Sequence, residues 1–215
     1  TYECYAYSGN DKTEIYTFTT EEALQMPNSS FETISNAESD KYFSFYDPNS
    51  PIAANQTKWW CSGNKGSTTV GSSYSITNPD REDKKDGNYS VRLESQYVIV
   101  KFAAGNIFLG EFGGLVGMDG LVNFGRPSTA RPLALHGWVK YNCGVIDEFG
   151  RVPSSRPDLK KGDKDEGHIM ILVGNWTAEE YGGSEDCPVV VNTKDESTFL
   201  DPEGKNVIGS GVLVF

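Results

Sequence analysis

The chain has 215 residues and a formal net charge of −11, with 30 Asp and Glu against 19 Lys and Arg. That length buries a core without metal or disulfide staples, and so acidic a balance argues against nucleic acid or anionic membrane as the main partner, since both reward basic patches. Tyr and Phe occur 11 times each beside 23 Gly and 10 Pro, a composition that favours short strands and turns over helices.

Residues 1–19 read as a hairpin, two aromatic-rich strands about Ser8-Gly9-Asn10-Asp11. A lone hairpin is marginally stable, so it belongs to a larger sheet. Thr20 to Leu24 can cap one helical turn before Pro27 stops it, and residues 20–27 read as a linker. A second unit opens at Asn28, with NSSFETI as its first strand. A polar stretch with Pro48 and Pro51 leads to Lys58-Trp59-Trp60-Cys61, and a Gly/Ser-rich loop follows. Adjacent tryptophans in a strand point to opposite sides, one to the core and one outward. Tyr74 and Ile76 resume alternation, and residues 79–87 form a charged, solvated turn.

Tyr89, Val91 and Leu93 alternate with Ser90, Arg92 and Glu94, the period-2 pattern of a half-buried strand. The alternation returns from Leu133 to Tyr141, where Leu133, Leu135, Val139 and Tyr141 share one face and Ala134, His136, Trp138 and Lys140 the other. Trp138 is a binding surface if that face is open, and core if the long Gly-rich segment 105–126 folds over it. Residues 142–167 are irregular. His168 to Val173 suits a strand buried on both faces, with Trp176 just beyond it at core or rim. Val189–Val191, Thr198–Leu200 and Val207–Phe215 read as further strands, with Asp201–Gly204 as a tight turn. With no sustained 3.6-residue period, the class is all-β, a sandwich.

Cys4, Cys61, Cys143 and Cys187 lie far apart without a C-x-x-C pair, which argues against a zinc ribbon. Free thiols and a disulfide such as Cys143–Cys187 both stay open. No stretch approaches the roughly 18 apolar residues of a membrane span. No G-x-S-x-G, P-loop, H-E-x-x-H or dinucleotide fingerprint occurs.

The runs NSSFETI, WWCSGNKG, DGNYSVRLES, AAGNIFLGEF, NFGRPSTARPLALHGWVKY and DKDEGHIMILVGNWT resemble the Bacteroidota "putative carbohydrate metabolism domain" family over residues 28–215. The resemblance is most specific in GRPSTARP followed by L-x-G-W-x-K-Y. It implies a jelly-roll β-sandwich like that of carbohydrate-binding modules, with an oligosaccharide or polysaccharide as partner. It also implies export to the periplasm or to the cell surface as an outer-membrane lipoprotein. Residues 1–22 look like the last strands of an upstream fibronectin-type or immunoglobulin-like domain, with a linker to 27. The jelly roll, 28–215, then reads as cut short at its C-terminus, so that a second chain or fragment completes it, because natural sheets avoid long bare edges. In such jelly rolls an N-x-x-F-E run helps to hold a structural calcium. Asn28, Phe31 and Glu32 match it, which makes Glu32 a candidate ligand, and no other cofactor is expected. Asp163 to Gly167 carries a fragment of calcium-loop spacing without its later glutamate.

Sugar recognition needs flat aromatic faces and planar hydrogen-bonding groups. The candidates are Trp138 with His136 and Lys140, Trp60, and Arg126 and Arg131, whose forked donors each precede a proline. Glycosidase chemistry needs two converging carboxylates. Glu111, Asp147, Asp163, Asp165 and Glu166 lie in loops, and no spacing singles out an acid and a nucleophile; Glu111, Asp147 and Asp165 are the catalytic candidates. Non-catalytic glycan binding leads, with a glycoside hydrolase and a structural or adhesive module as alternatives.

Overall fold

The computed structural model describes residues 1–20, 26–49, 58–148 and 154–215. Most of the expected helical turn before Pro27, and Pro51, lie outside them. Among the described residues strands dominate, and α-helix is limited to the single turns Asn64–Ser67 and Ala178–Tyr181. The class is all-β.

The chain divides into two compact units, residues 1–25 with 128–133 and residues 26–127 with 134–215. In the first, β1 (Tyr2–Cys4), β2 (Tyr7–Ser8), β3 (Asp11–Lys12) and β4 (Tyr16–Phe18) form nested antiparallel pairs, β1 with β4 and β2 with β3. Tyr2 faces Phe18 across the outer pair, their rings stacked at 5.6 Å.

The second unit contains β5 (Trp60–Cys61), β6 (Thr77–Asp80), β7 (Ser90–Leu93), β8 (Gln96–Val98), β9 (Lys101–Ala103), β10 (Phe108–Val116), β11 (Asp119–Phe124), β12 (His168–Gly174), β13 (Val189–Asn192) and β14 (Val207–Val214). Its largest sheet is antiparallel, in the order β13-β11-β10-β5. The β10–β11 hairpin turns through Gly117 and Met118, and Gly117 takes the positive φ of 68° that a two-residue hairpin loop asks for. The register shifts between Phe112 and Gly114. β6 pairs with β7, β8 with β9 and β12 with β14. Pro79 sits inside β6, which a strand with one ladder neighbour tolerates. The buried apolar side chains are Phe45, Tyr46, Trp59, Ile76, Cys187, Val189 and Val191.

Four expected features differ. NSSFETI forms no strand, because Asn28 and Phe31 adopt positive φ of 49° and 60° and Phe31 N donates back to Asn28 O. Only Ser35, just beyond it, bridges to Ser44. Leu133–Tyr141 alternates but joins no ladder. Thr198 ends a 3₁₀ turn, Glu196–Thr198, whose first residues are held by the Asp195 carboxylate accepting from Ser197 N, so no strand starts there. β12 has β14 as its one ladder neighbour, and Met170 is 47% exposed rather than covered on both faces.

Candidate functional site

Trp59 and Trp60 separate as adjacent strand residues must: Trp59 is buried, and Trp60 lies half-buried on the other side. The Trp60 indole N–H donates to Pro27 O at 2.9 Å, and its ring meets Phe31 edge-on at 4.9 Å. The Ser35–Ser44 bridge folds residues 36–43 into a loop. This brings Glu38 to Ser44, whose hydroxyl donates to the carboxylate at 2.6 Å. Tyr46 also hydrogen-bonds Glu38, and Lys58 Nζ stands 3.7 Å from it. Together with β10 these elements enclose a cleft of about 160 Å³, whose walls include Glu38, Tyr42, Phe43, Lys58, Trp60, Lys65, Glu111 and Phe112. That is small against the roughly 300–1,000 Å³ of drug-sized pockets, so the cleft suits one sugar-sized ring or a chain end.

The charges in the cleft are held apart by environment. Burial opposes the charged form of Glu38, but the Ser44 hydroxyl, Lys58, Tyr46 and Lys65 outweigh it, and the carboxyl sits below its ordinary value of 4.5. Burial, then the charge of Glu38, pushes the Tyr42 hydroxyl up to about 12 and raises Tyr46 as well. Burial also raises the Cys61 thiol. At neutral pH the cleft therefore offers an ionised acceptor, two phenolic hydroxyls that keep their protons, two ammonium groups and apolar ring surface. Such a set can hold a polyhydroxylated ring.

Glu111 reaches the same cleft from β10 and is tied to Arg126 at 3.4 Å. The Arg126 side chain is only 5% exposed, and it donates to Gly110 O at 2.9 Å. Its Nε is buried without a hydrogen-bond partner. Arg126 therefore braces β10 and Glu111 rather than presenting its fork to solvent. Arg131 belongs to the first unit, and the other expected sugar-binding residues belong to the second.

Trp138 is open: the residue is 78% exposed, with Lys85 Nζ 4.5 Å from its ring centroid. Lys140 donates to Asp83 at 2.5 Å, and His136 is exposed. Both contacts reach into the charged turn at 81–86. The Gly-rich segment does not roof Trp138; most of it forms the β10–β11 hairpin instead. Asp147 and Asp165 are exposed on the irregular connection before β12. Asp163 accepts from Lys160 N at 3.0 Å, and Glu166 pairs with Arg156 and His168.

Glu32 accepts from the backbone N–H groups of Asn88 and Tyr89 and from the Asn88 side chain, at 2.9 to 3.1 Å. The two backbone donors hold its carboxyl below the ordinary range. Asn28 bonds to Thr33 and to Phe45 O. In this geometry both residues tie the start of the second unit to its later segments. Among the described residues no three His, Cys, Asp or Glu side chains cluster as a metal site. Cys4, Cys61, Cys143 and Cys187 are all free thiols.

Glu38, Tyr42, Tyr46 and Lys58 were not among the residues expected from sequence. A signal was present in Tyr42-Phe43-Ser44-Phe45-Tyr46, four aromatics in five residues directly after the charged Glu38-to-Lys41 stretch.

The fold and the cleft define an all-β protein with a small concave site lined by aromatic rings and fixed polar groups. The chain belongs to the family described as "putative carbohydrate metabolism domain", whose sequence model matches residues 30–195. Neither a search of curated proteins nor a search of solved structures finds a match. No helix among the described residues is long and apolar enough to cross a membrane.

Proposed function

We infer that the protein is a non-catalytic glycan-binding module and that the cleft of Glu38, Tyr42, Lys58 and Trp60 holds the sugar. The observation that carries this reading is the convergence, in one concavity, of aromatic rings with protonated phenols and an ionised carboxylate. Family membership supports carbohydrate as the ligand class. A jelly-roll arrangement and export to the cell surface, both implied by the sequence resemblance, belong to the same reading.

A glycoside hydrolase is the alternative, favoured by Glu38 and Glu111 lining one cleft. A glycosidase needs one carboxyl pushed up to serve as acid. Glu38 in the cleft is held below its ordinary value, as are Glu32, Asp80, Asp158 and Glu180 elsewhere. That direction suits charged hydrogen-bond acceptors better than an acid catalyst.

The test is calorimetric binding across a panel of neutral and acidic oligosaccharides, with Phe43→Ala and Trp138→Ala measured beside the parent protein. Phe43 lines the cleft and is 38% exposed, so its truncation spares the core. Affinity falling about tenfold or more in Phe43→Ala alone supports the cleft. A fall in Trp138→Ala alone moves the site to the Trp138–Lys85 surface and overturns the cleft assignment. Turnover of any panel member, abolished by Glu38→Gln, replaces binding with hydrolysis. No binding at all overturns the glycan reading, and the exposed apolar pair Val212 and Val214 on one face of β14 then favours the adhesive alternative.

A further inference from the structure

We propose that the cleft selects acidic sugars, with the carboxylate of a uronic acid residue held by Lys65 and Lys58. The proposal rests on the glycan-binding reading of the same cleft and names its ligand class.

The charged groups that line the cleft are not tied to one another one to one. Two glutamates and two lysines line it. Glu38 is satisfied by Ser44 and Tyr46, and Glu111 by Arg126, a cation that stands behind the wall. Lys58 stays 3.7 Å from Glu38, beyond a good N–H···O distance, so its ammonium retains donors for a ligand. Lys65 has no ion pair among the described residues and is exposed at the cleft wall. The lining itself is neutral, two carboxylates against two ammonium groups, but Arg126 answers Glu111 from behind the wall, so both ammonium groups stay available in a chain of net charge −11.

Lys65 is also held in place by its neighbours. Lys65 sits on the turn Asn64–Ser67, and its neighbour Asn64 is completely buried. The Asn64 side chain donates to Thr77 O at 2.7 Å and accepts from Ile76 N and Thr77 N at 2.9 and 3.0 Å. The backbone from which Lys65 projects is therefore anchored to β6. Lysine is a compact, hydrated point charge, and a pair of them suits a carboxylate on a sugar ring whose apolar side rests on aromatic surface.

The experiment pairs each uronate with its uncharged twin. Trigalacturonate, triglucuronate and trimannuronate are titrated calorimetrically against their methyl esters, which keep the ring and lose the charge. At least one acid should bind about tenfold more tightly than its ester, the range expected for a charge-assisted hydrogen bond. Lys65→Gln should cut that preference to about threefold or less, read as the ratio of acid to ester affinity within the variant. Esters, or the neutral members of the panel above, binding as tightly as the acids overturn the acidic-sugar proposal and leave the glycan reading standing. An acid preference that survives both Lys65→Gln and Lys58→Gln overturns the lysine assignment. Absence of binding to every acid, ester and neutral glycan overturns both readings together.

Discussion

Asn64 is wholly buried, and its one amide serves three backbone groups and the Ser75 hydroxyl. Replacing it with Ala strands the N–H groups of Ile76 and Thr77 away from water, and each stranded group costs about 1–3 kcal/mol. Asn64→Ala should therefore lose about 3 kcal/mol or more of stability, read as a lower urea midpoint at unchanged slope. Glu38 makes a second prediction. Its folded pKa is depressed, so its contribution is complete above the ordinary value of 4.5 and disappears as pH falls through the lower folded value. Acidification below 4.5 should thus weaken the parent protein more steeply than Glu38→Gln, compared in urea titrations at stepped pH. Neither residue stands out in the sequence. Glu38 is one of 30 acidic residues, and what sets it apart are partners as far along the chain as Lys58. Trp60 was legible, because two adjacent tryptophans in a strand must face opposite ways.

At the scale of elements, alternation found strands wherever a partner strand was also available. Ser90–Leu93, His168–Gly174 and Val207–Val214 each have one. Leu133–Tyr141 carries the same period and has none, since a pattern of side chains expresses a preference for two faces but supplies no hydrogen-bonding neighbour. NSSFETI failed for a local reason, the left-handed turn at Asn28 and Phe31, which places Glu32 against Asn88. The β10–β11 hairpin was hidden by its own glycines, which read as loop. Gly110 explains why one is required: its φ is 147°, and a Cβ there would collide with Asn123 O on the neighbouring strand. Gly110→Ala should open the ladder beside Glu111 and cost about 2–4 kcal/mol. The Arg126 and Glu111 side chains should lose their fixed geometry with it, visible as loss of the Gly110–Phe124 cross-strand contact by NMR.

For the molecule as a whole, composition was enough for the all-β class, and the family was readable from its motifs. The cleft was not, because it is assembled from segments around residues 38–46, 58–65 and 111–112 that meet only after folding. The ladder arrangement has a consequence for motion. β11 is hydrogen-bonded on both sides, with Val122 opposite Phe112 in β10 and Val191 in β13. The ribbons β6–β7, β8–β9 and β12–β14 each have a single seam. Amides along a single seam exchange with solvent after a local opening, whereas those of Val122 and its neighbours wait for a larger one. Deuterium uptake should therefore be fastest in the two-stranded ribbons and slowest at β11. Since β10 also carries Glu111 and Phe112, one wall of the cleft then belongs to the most persistent part of the protein, while the loop bearing Glu38 and Tyr42, whose backbone is paired through the Ser35–Ser44 bridge and whose other ties run through side chains, breathes on a shorter timescale.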